Sequence, residues 1–349
     1  MSNRYPHRQR DIDKAFEKIR VEKLDKLPRA QEPRFMVIGG QPGAGKSETI
    51  RELKRNAPDL YVIDVDKLRK EHPQYALIQH KEGIGAANYT HKFASALKDK
   101  IVDYLRGKQV DFALEATLGN KDRTLELMQN PLWKQNSYQI EVHGVVVPKE
   151  ISEIGVVKRY FDGRNQTEII QLLEVDKRRY VPALAREKSY EGMLRTLVVL
   201  AENRAVDTIG LYDRDGKELY LAHGNQISPD RIRNVVVENR GLENTSSHQL
   251  ETALENHAYN QSQNEHIQAQ PAHTPAEQNE QKILAADMKQ ELNYAKDIEK
   301  ALPKAKKKER QEKRDERLKK RVEENKDKGQ SQNRDKIRDK DIQDRGRTR

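Results

Sequence analysis

A glycine-rich segment at residues 39–50, GGQPGAGKSETI, sets the strongest condition on how this chain folds. It follows the apolar residues 35–38 and matches the pattern G-x-x-x-x-G-K-S over residues 40–47. In such a loop the glycines let backbone N–H groups turn toward phosphates, the lysine reaches the β and γ oxygens, and the hydroxyl ligates Mg²⁺. The segment predicts a strand, a phosphate-binding loop and a helix, with ATP or GTP and Mg²⁺ as ligands. The expected nucleotide-binding residues are Gly40, Gln41, Pro42, Gly43, Ala44, Gly45, Lys46 and Ser47.

The composition of the 349-residue chain changes near residue 241. Apolar runs recur every few tens of residues before that point, whereas Gln, Asn, Glu, Lys and Arg dominate after it, with Tyr259 and Tyr294 as the last aromatic residues. A segment so poor in apolar side chains cannot offset its ordering entropy by burial. We expect an N-terminal helix and linker over residues 1–32, a folded domain over 33–240, and a polar tail over 241–349 that is disordered or a solvated helix.

The net charge of +10 is concentrated in the last fifty residues, where 20 Lys and Arg face 11 Asp and Glu. Both signs alternate there at helical spacing, which favours a solvated helix or a coiled coil. A contact with nucleic acid or another acidic partner, and a secretion or transfer signal, are the alternatives.

The chain contains no cysteine, which excludes disulfides and thiolate metal sites. No apolar run approaches the ~18 residues of a membrane span, and the first residues lack the apolar core of a signal peptide. We therefore expect no membrane partner and a soluble, cytoplasmic domain.

Residues 10–27 place Ile12, Phe16, Ile19, Leu24 and Leu27 near one face of a helix. We expect this apolar face to pack against another surface, either of this chain or of a partner. A structural strap, an internal inhibitor and a docking site for a partner are all compatible with the pattern.

The rest of the folded domain alternates predicted strands and helices. Strands are expected at 60–66, 110–117 and 138–148, and a hairpin is expected around the D-R-D-G turn at 213–216. This order predicts an α/β fold, a three-layer P-loop NTPase-like sandwich with a mostly parallel sheet, followed by a charged helical or disordered C-terminal tail.

Several polar residues follow these strands, at the sheet edge where ligands of parallel α/β proteins collect. They are Asp64, Asp66, Glu115 and Thr117. Phosphoryl transfer needs a base for the acceptor hydroxyl and cations for the developing charge. Asp66 and Asp64 are candidates for the base and for holding metal or water, and Arg159 and Arg179 are candidates for the cations. Each also has a purely structural interpretation, as a helix cap or a solvated basic residue.

Six segments taken in order resemble the zeta toxin family, small-molecule kinases of toxin–antitoxin systems. The segments are GGQPGAGKS at 39–47, VIDVDKLRKEHPQY at 62–75, LEAT at 114–117, VVPKEISEIGVVKRY at 146–160, RRYVP at 178–182 and IGLYDRDGKELY at 209–220. The likeness covers about residues 33–238. Where the family commonly has E-G-T-G-R, this chain has EATLGN at 115–120.

The resemblance implies a kinase that transfers the γ-phosphate of ATP or GTP to the 3′-hydroxyl of UDP-N-acetylglucosamine or a related UDP-amino sugar, which would starve bacterial cell-wall synthesis. It also implies an antitoxin partner that blocks the nucleotide site.

The resemblance assigns roles to single residues as well. Lys46 would be the phosphate-loop lysine and Asp66 the base, while Arg159 and Arg179 would hold the transferring phosphate. Substrate contacts would come from Asp99, Glu115 and Thr117, and metal contacts from Ser47 and Asp64.

Two other classes of function fit parts of the sequence. One is a P-loop kinase that acts on a nucleic-acid end, or a nucleic-acid-associated mobile-element protein. The other is an interaction protein whose nucleotide-binding head controls its helical tail.

Overall fold

A six-stranded sheet forms the centre of the molecule in the computed structural model, which describes residues 4–169 and 180–345. The strands are β1 Arg34–Gly39, β2 Tyr61–Ile63, β3 Phe112–Glu115, β4 Gln139–Val145, β5 Thr208–Tyr212 and β6 Glu218–His223. Their spatial order is β2-β3-β1-β4-β5-β6, and β6 alone runs antiparallel, beside β5. The expected mostly parallel P-loop sandwich is confirmed.

Helices cover both faces of the sheet. They are α1 Gln9–Glu22, α2 Lys46–Asn56, α3 Val65–Leu68, α4 Tyr75–Glu82, α5 Ala86–Lys108, α6 Lys121–Met128, α7 Leu132–Gln135, α8 Lys149–Ile169, α9 Ala183–Glu202, α10 Pro229–Asn239, α11 Ser247–Gln268 and α12 Pro275–Arg345. Strand β1 shows why two helical layers are needed. Phe35 and Val37 face the main core, while Met36 and Ile38 face the smaller cluster under α2.

Helix α1 is part of the main core. Its residues Ile12, Ala15, Phe16 and Ile19 are buried with side chains of α5. A short 3₁₀ turn, Leu24–Lys26, adds the fully buried Leu24. Among the three interpretations of this segment, the packing matches the structural strap.

The C-terminal region departs from the expected solvated tail. Helices α11 and α12 pack against each other and against α8, and they bury apolar side chains as far as Ala305. The expectation of a disordered or solvated segment is therefore corrected for residues 247–305. The physical reason is that small and polar side chains, such as Ala253 and Asn260, provide much of the buried face. From residue 306 to 320, α12 is largely exposed.

Within residues 4–169 and 180–345, the helices are too short or too polar to cross a membrane.

Candidate active site

The phosphate-binding loop joins the end of β1 to the start of α2, as the motif predicts. Gly43 and Gly45 have φ values of 79° and 92°, in the left-handed region that favours glycine. A Cβ on Gly43 would also lie 2.1 Å from the carbonyl oxygen of Ser152 in α8. The loop can hold this shape only because these positions lack side chains.

Lys46 is buried at the base of the loop. Its Nζ donates to the carbonyl oxygens of Gly40 at 3.2 Å and Gln41 at 3.4 Å, and lies 3.7 Å from Oε1 of Glu115. Burial lowers the pKa of Lys46, while the carboxylate of Glu115 opposes that shift. An ammonium group held in this way is ready to exchange backbone partners for phosphate oxygens.

Two aspartates follow β2, and they are bound differently. Oδ1 of Asp64 accepts from the backbone N–H groups of Asp66 and Lys67, so Asp64 is the N-cap of α3. Asp66 lies in the first turn of that helix, and its Oδ1 accepts a 2.9 Å hydrogen bond from Nε of Arg69. Arg69 is held in turn by the carbonyl oxygen of Ala87 at 2.8 Å.

Sequence reasoning missed Arg69. The available signal was its position three residues after Asp66 on a helix, a spacing that brings side chains together.

One cavity of about 1020 Å³ brings together predicted residues from four separate segments of the chain. The predicted residues that line it are Ser47, Asp64, Asp66, Glu115 and Arg159. Further basic side chains line it as well, and they outnumber the one further carboxylate, Asp162: Arg51, Lys54, Lys67, Arg69, Lys70 and His91. A cavity of this size and charge suits an anionic ligand larger than the nucleotide phosphates alone.

Other predicted residues that the structure describes do not line this cavity: residues 40–46 of the phosphate loop, which reaches the cavity only through Ser47, and also Asp99 and Thr117. Asp99 is 62% exposed on α5, beside Lys98, on the face opposite the buried residues of that helix. The expectation that Asp99 contacts substrate is therefore not supported by its placement. Thr117 is exposed just after β3 and does not belong to the cavity lining. Arg179 lies outside the described residues.

The loop after β3 has a shape of its own. Leu118 adopts a φ of 54° and is buried, and its Cδ1 lies 2.0 Å from where a Cβ of Gly39 would be. Only glycine can occupy position 39 with Leu118 in that place. The departure from E-G-T-G-R thus provides an apolar side chain that packs under the start of the phosphate loop.

A second residue that sequence reasoning missed is Arg214, in the turn between β5 and β6. Its Nη1 donates a 2.7 Å hydrogen bond to the carbonyl oxygen of Gly43. Burial lowers the pKa of Arg214. The same turn is tied to α11, because Nε2 of Gln249 donates to Asp215 at 2.7 Å. The D-R-D-G sequence was visible as a turn, but its contact with the loop depends on the tertiary fold.

The donor set around Ser47 suits Mg²⁺ only in company with phosphates. The residues in the described ranges contain no cluster of three or more His, Cys, Asp or Glu that could hold a metal unaided. The Ser47 hydroxyl and the Asp64 carboxylate do line the cavity, and hard oxygen ligands supplemented by phosphates are the usual environment of Mg²⁺ in such loops.

The fold and the loop define a P-loop protein of the α/β class. A family model, described as zeta toxin, matches residues 19–225. The chain therefore belongs to the zeta toxin family.

Known members of the family resemble the chain over much of its length. It is 25% identical to Toxin PezT of Streptococcus pneumoniae serotype 4 over 222 residues, which are 62% of this chain and 84% of that protein. It is 24% identical to Toxin zeta of Streptococcus agalactiae, over 57% of this chain and 67% of that protein.

A solved structure from the PezAT chromosomal toxin–antitoxin system of Streptococcus pneumoniae matches with a TM-score of 0.61 and 19% identity. The match covers 75% of this chain and all of that chain. At this identity the likeness supports the fold.

Proposed function

We propose that this protein is a zeta-toxin kinase that transfers the γ-phosphate of ATP or GTP to the 3′-hydroxyl of UDP-N-acetylglucosamine or a related UDP-amino sugar. The observation that carries the proposal is the arrangement around Lys46. Ser47 at the end of the phosphate loop, the carboxylates of Asp64 and Glu115, and Arg159 line one cavity large enough for a second substrate, and Nζ of Lys46 lies 3.7 Å from Oε1 of Glu115. Membership of the zeta toxin family supports the same reaction.

Each residue has a distinct part in the proposed mechanism. The loop amides and Lys46 bind the nucleotide phosphates, and Arg159 offsets the charge that develops on the transferring group. Asp66 accepts the proton of the acceptor hydroxyl, and Arg69 holds the carboxylate of Asp66 in place for that step. Glu115 orients Lys46 and the acceptor from the end of β3.

Mg²⁺ would be held by Ser47, Asp64 and the nucleotide, and it would supply charge neutralisation on the phosphates. Asp99, Thr117 and Arg179 remain predictions: the first two do not line the cavity, and Arg179 lies outside the described residues.

A partner is proposed on related grounds. The matched solved structure comes from a toxin–antitoxin system, so we propose an antitoxin protein that restrains this chain. An inhibitory role for residues 10–27 is less well supported, since their apolar face is buried in the core and the cavity lining includes none of residues 4–32.

An acceptor screen tests the reaction. The full-length protein is incubated with γ-labelled ATP or GTP and Mg²⁺, with UDP-N-acetylglucosamine, with other UDP-sugars, with a 5′-hydroxyl oligonucleotide, or with no acceptor. We expect label on the UDP-amino sugar. Lys46→Met should abolish it, and the matched control Lys300→Met, at an exposed position on α12, should not.

Label on the oligonucleotide instead would support the nucleic-acid-end kinase and overturn the proposal. Release of phosphate alone, with every acceptor tested, would also overturn it.

A further inference from the structure

The C-terminal hairpin, defined here as α11 together with residues 275–305 of α12, packs on the outer side of α8. Its apolar contacts with α8 form two clusters. The hairpin side chains buried in them are Leu250, Ala253, Ile267, Leu284, Met288, Ile298 and Ala305. The second cluster also contains Tyr160 of α8 and packs against Ile84 and Tyr180, all three of which line the active-site cavity. The hairpin thus lies directly behind one wall of that cavity.

Asp287 of α12 binds two residues of this region through its side chain. Its Oδ1 accepts from Nη2 of Arg186 at 2.8 Å, and its Oδ2 accepts from Nη1 of Arg186 at 3.1 Å and from the hydroxyl of Tyr180 at 2.9 Å. Nη1 of Arg186 also donates to the carbonyl oxygen of Val181 at 3.1 Å. Tyr180 and Val181, which follow one another in the cavity wall, are therefore both attached to Asp287, one directly and one through Arg186.

A second carboxylate of α12 reaches the same wall. The Tyr160 hydroxyl donates to Glu280, and Nε of Arg164 lies 3.4 Å from the same Glu280 oxygen. Asp287 and Glu280 are seven residues apart, so they lie on the same face of α12. That face presents carboxylates to the aromatic lining of the cavity.

Buried charges of this kind are weak evidence for a contribution to stability. Arg186 and Asp287 are only 3% and 7% exposed, and Nε of Arg186 makes a further ion pair with Glu153 at 2.8 Å. Burying an ion pair costs desolvation energy that its attraction often fails to offset, and apolar replacements can be equally stable. These ion pairs and hydrogen bonds fix the positions of Tyr180 and Val181 relative to α12.

We propose that Asp287 is a positioning residue for the second substrate, holding the Tyr180–Val181 part of the cavity wall through its hydrogen bonds to Tyr180 and Arg186. The inference rests on the proposed kinase function and adds a role for a helix outside the region that the family model matches. The phosphate loop takes the nucleotide, so the remaining lining, including this wall, is left for the acceptor. Disturbing Asp287 should therefore affect the acceptor more than the nucleotide.

Asp287→Asn in the full-length chain tests this role, because it keeps the size of the side chain and removes its charge. We expect the KM for the acceptor to rise roughly tenfold, since misplacing substrate-positioning groups is costly. The dissociation constant for the nucleotide should change less than about twofold, since the loop is untouched. The matched control is Asp297→Asn, the same change at a 53% exposed position of the same helix, and it should leave both constants unchanged.

Tyr180→Phe gives a second measurement with little risk to folding, because it removes only the hydroxyl bound by Asp287. We expect a smaller rise in acceptor KM. The Tyr180→Phe variant decides the question even if Asp287→Asn folds poorly. An acceptor KM in Tyr180→Phe equal to that of the wild type would overturn the proposal.

The failure of this inference can be told apart from failure of the proposed function. If the wild-type protein phosphorylates no acceptor, both the proposed function and the role of Asp287 are overturned. If the wild type is active, and the Asp287→Asn variant has a lower melting temperature but an unchanged acceptor KM, only the positioning role of Asp287 is overturned.

Discussion

Arg69 binds the carboxylate of Asp66 from one turn further along the chain, with Nε 2.9 Å from Oδ1. The guanidinium is itself fixed, because Nη1 donates to the Ala87 carbonyl oxygen and to the Thr90 hydroxyl of α5. Asp66 is therefore held in a definite orientation toward the cavity, as a base for an acceptor hydroxyl has to be.

The first prediction concerns this pair. Asp66→Asn should lower kcat by about 100-fold or more with little change in nucleotide affinity, because removal of a general base affects the transition state. Arg69→Ala should lower kcat by about tenfold, since it only loosens Asp66. In the double variant the two effects should not multiply, because they act on one step. Full additivity in kinetic measurements would show that Arg69 acts separately from Asp66.

The second prediction concerns Lys46. Burial lowers the pKa of this lysine, because keeping the buried ammonium group charged in the unliganded protein costs free energy. Lys46→Met should leave the melting temperature of the unliganded protein unchanged or higher, and it should abolish the increase that ATP with Mg²⁺ produces in the wild type. Thermal unfolding with and without nucleotide measures both effects. A Lys46→Met protein that ATP still stabilises as strongly as wild type would contradict the assignment.

Local sequence determines the phosphate loop and the strand ends, which is why they were predictable. The glycine conformations at 43 and 45 and the capping of α3 by Asp64 depend on residues close in the chain. The contacts of Arg214 with Gly43 and of Asp287 with Arg186 join residues more than 100 positions apart, and no periodicity reveals them.

The C-terminal hairpin shows a second reason for failure. Its buried face includes Glu291 together with His257 and Asn260, both of which are hydrogen-bonded to Oε1 of Glu291 inside the hairpin. A hydrophobicity pattern counts such residues as solvent-exposed, because their burial depends on partners it cannot see. Asp99 is a different case, because the resemblance alone implied its role, whereas its position on α5 leaves it 62% exposed and outside the cavity lining.

The third prediction is a pH dependence of stability. His72 is buried against His7 and Phe93, and its Nδ1 accepts from the backbone N–H of Gln74 at 3.1 Å. Burial, with a smaller contribution from His7, lowers the pKa of His72 below its ordinary 6.5, while Asp11 opposes the shift. The unfolded chain therefore binds the proton more readily than the folded protein.

The stabilisation from neutral His72 is thus complete above pH 6.5 and is lost as the pH falls through the lower pKa of the folded state. The melting temperature should drop between about pH 7.5 and pH 5.5, and the drop should be smaller in His72→Asn, whose amide oxygen can still accept from Gln74. His248→Asn, at an exposed position of α11, is the control and should follow the wild type. If the melting temperatures of the wild type and His72→Asn fell equally with pH, the pH dependence would come from other titratable groups and the prediction would be wrong.

The last prediction reverses what the sequence alone suggested for the tail. A chain that ends at Arg240 lacks the C-terminal hairpin and exposes Ile151, Ile154, Tyr160 and Phe161 of α8, each at most 2% exposed in the full-length protein. Burying a large apolar side chain contributes about 2 kcal/mol, so uncovering four of them is comparable to the whole stability of a domain. We expect this truncated chain to be aggregated or to melt well below the full-length protein.

A chain that ends at Arg310 is the matched control, because it keeps the hairpin and the hydrogen bonds from Ser247 to Glu309. It should be soluble and melt close to the full-length protein, since residues 311–320 are exposed. Expression of both chains, followed by size-exclusion chromatography and thermal unfolding, makes the comparison. A stable, monodisperse chain ending at Arg240 would mean that the hairpin lies on α8 without supporting it.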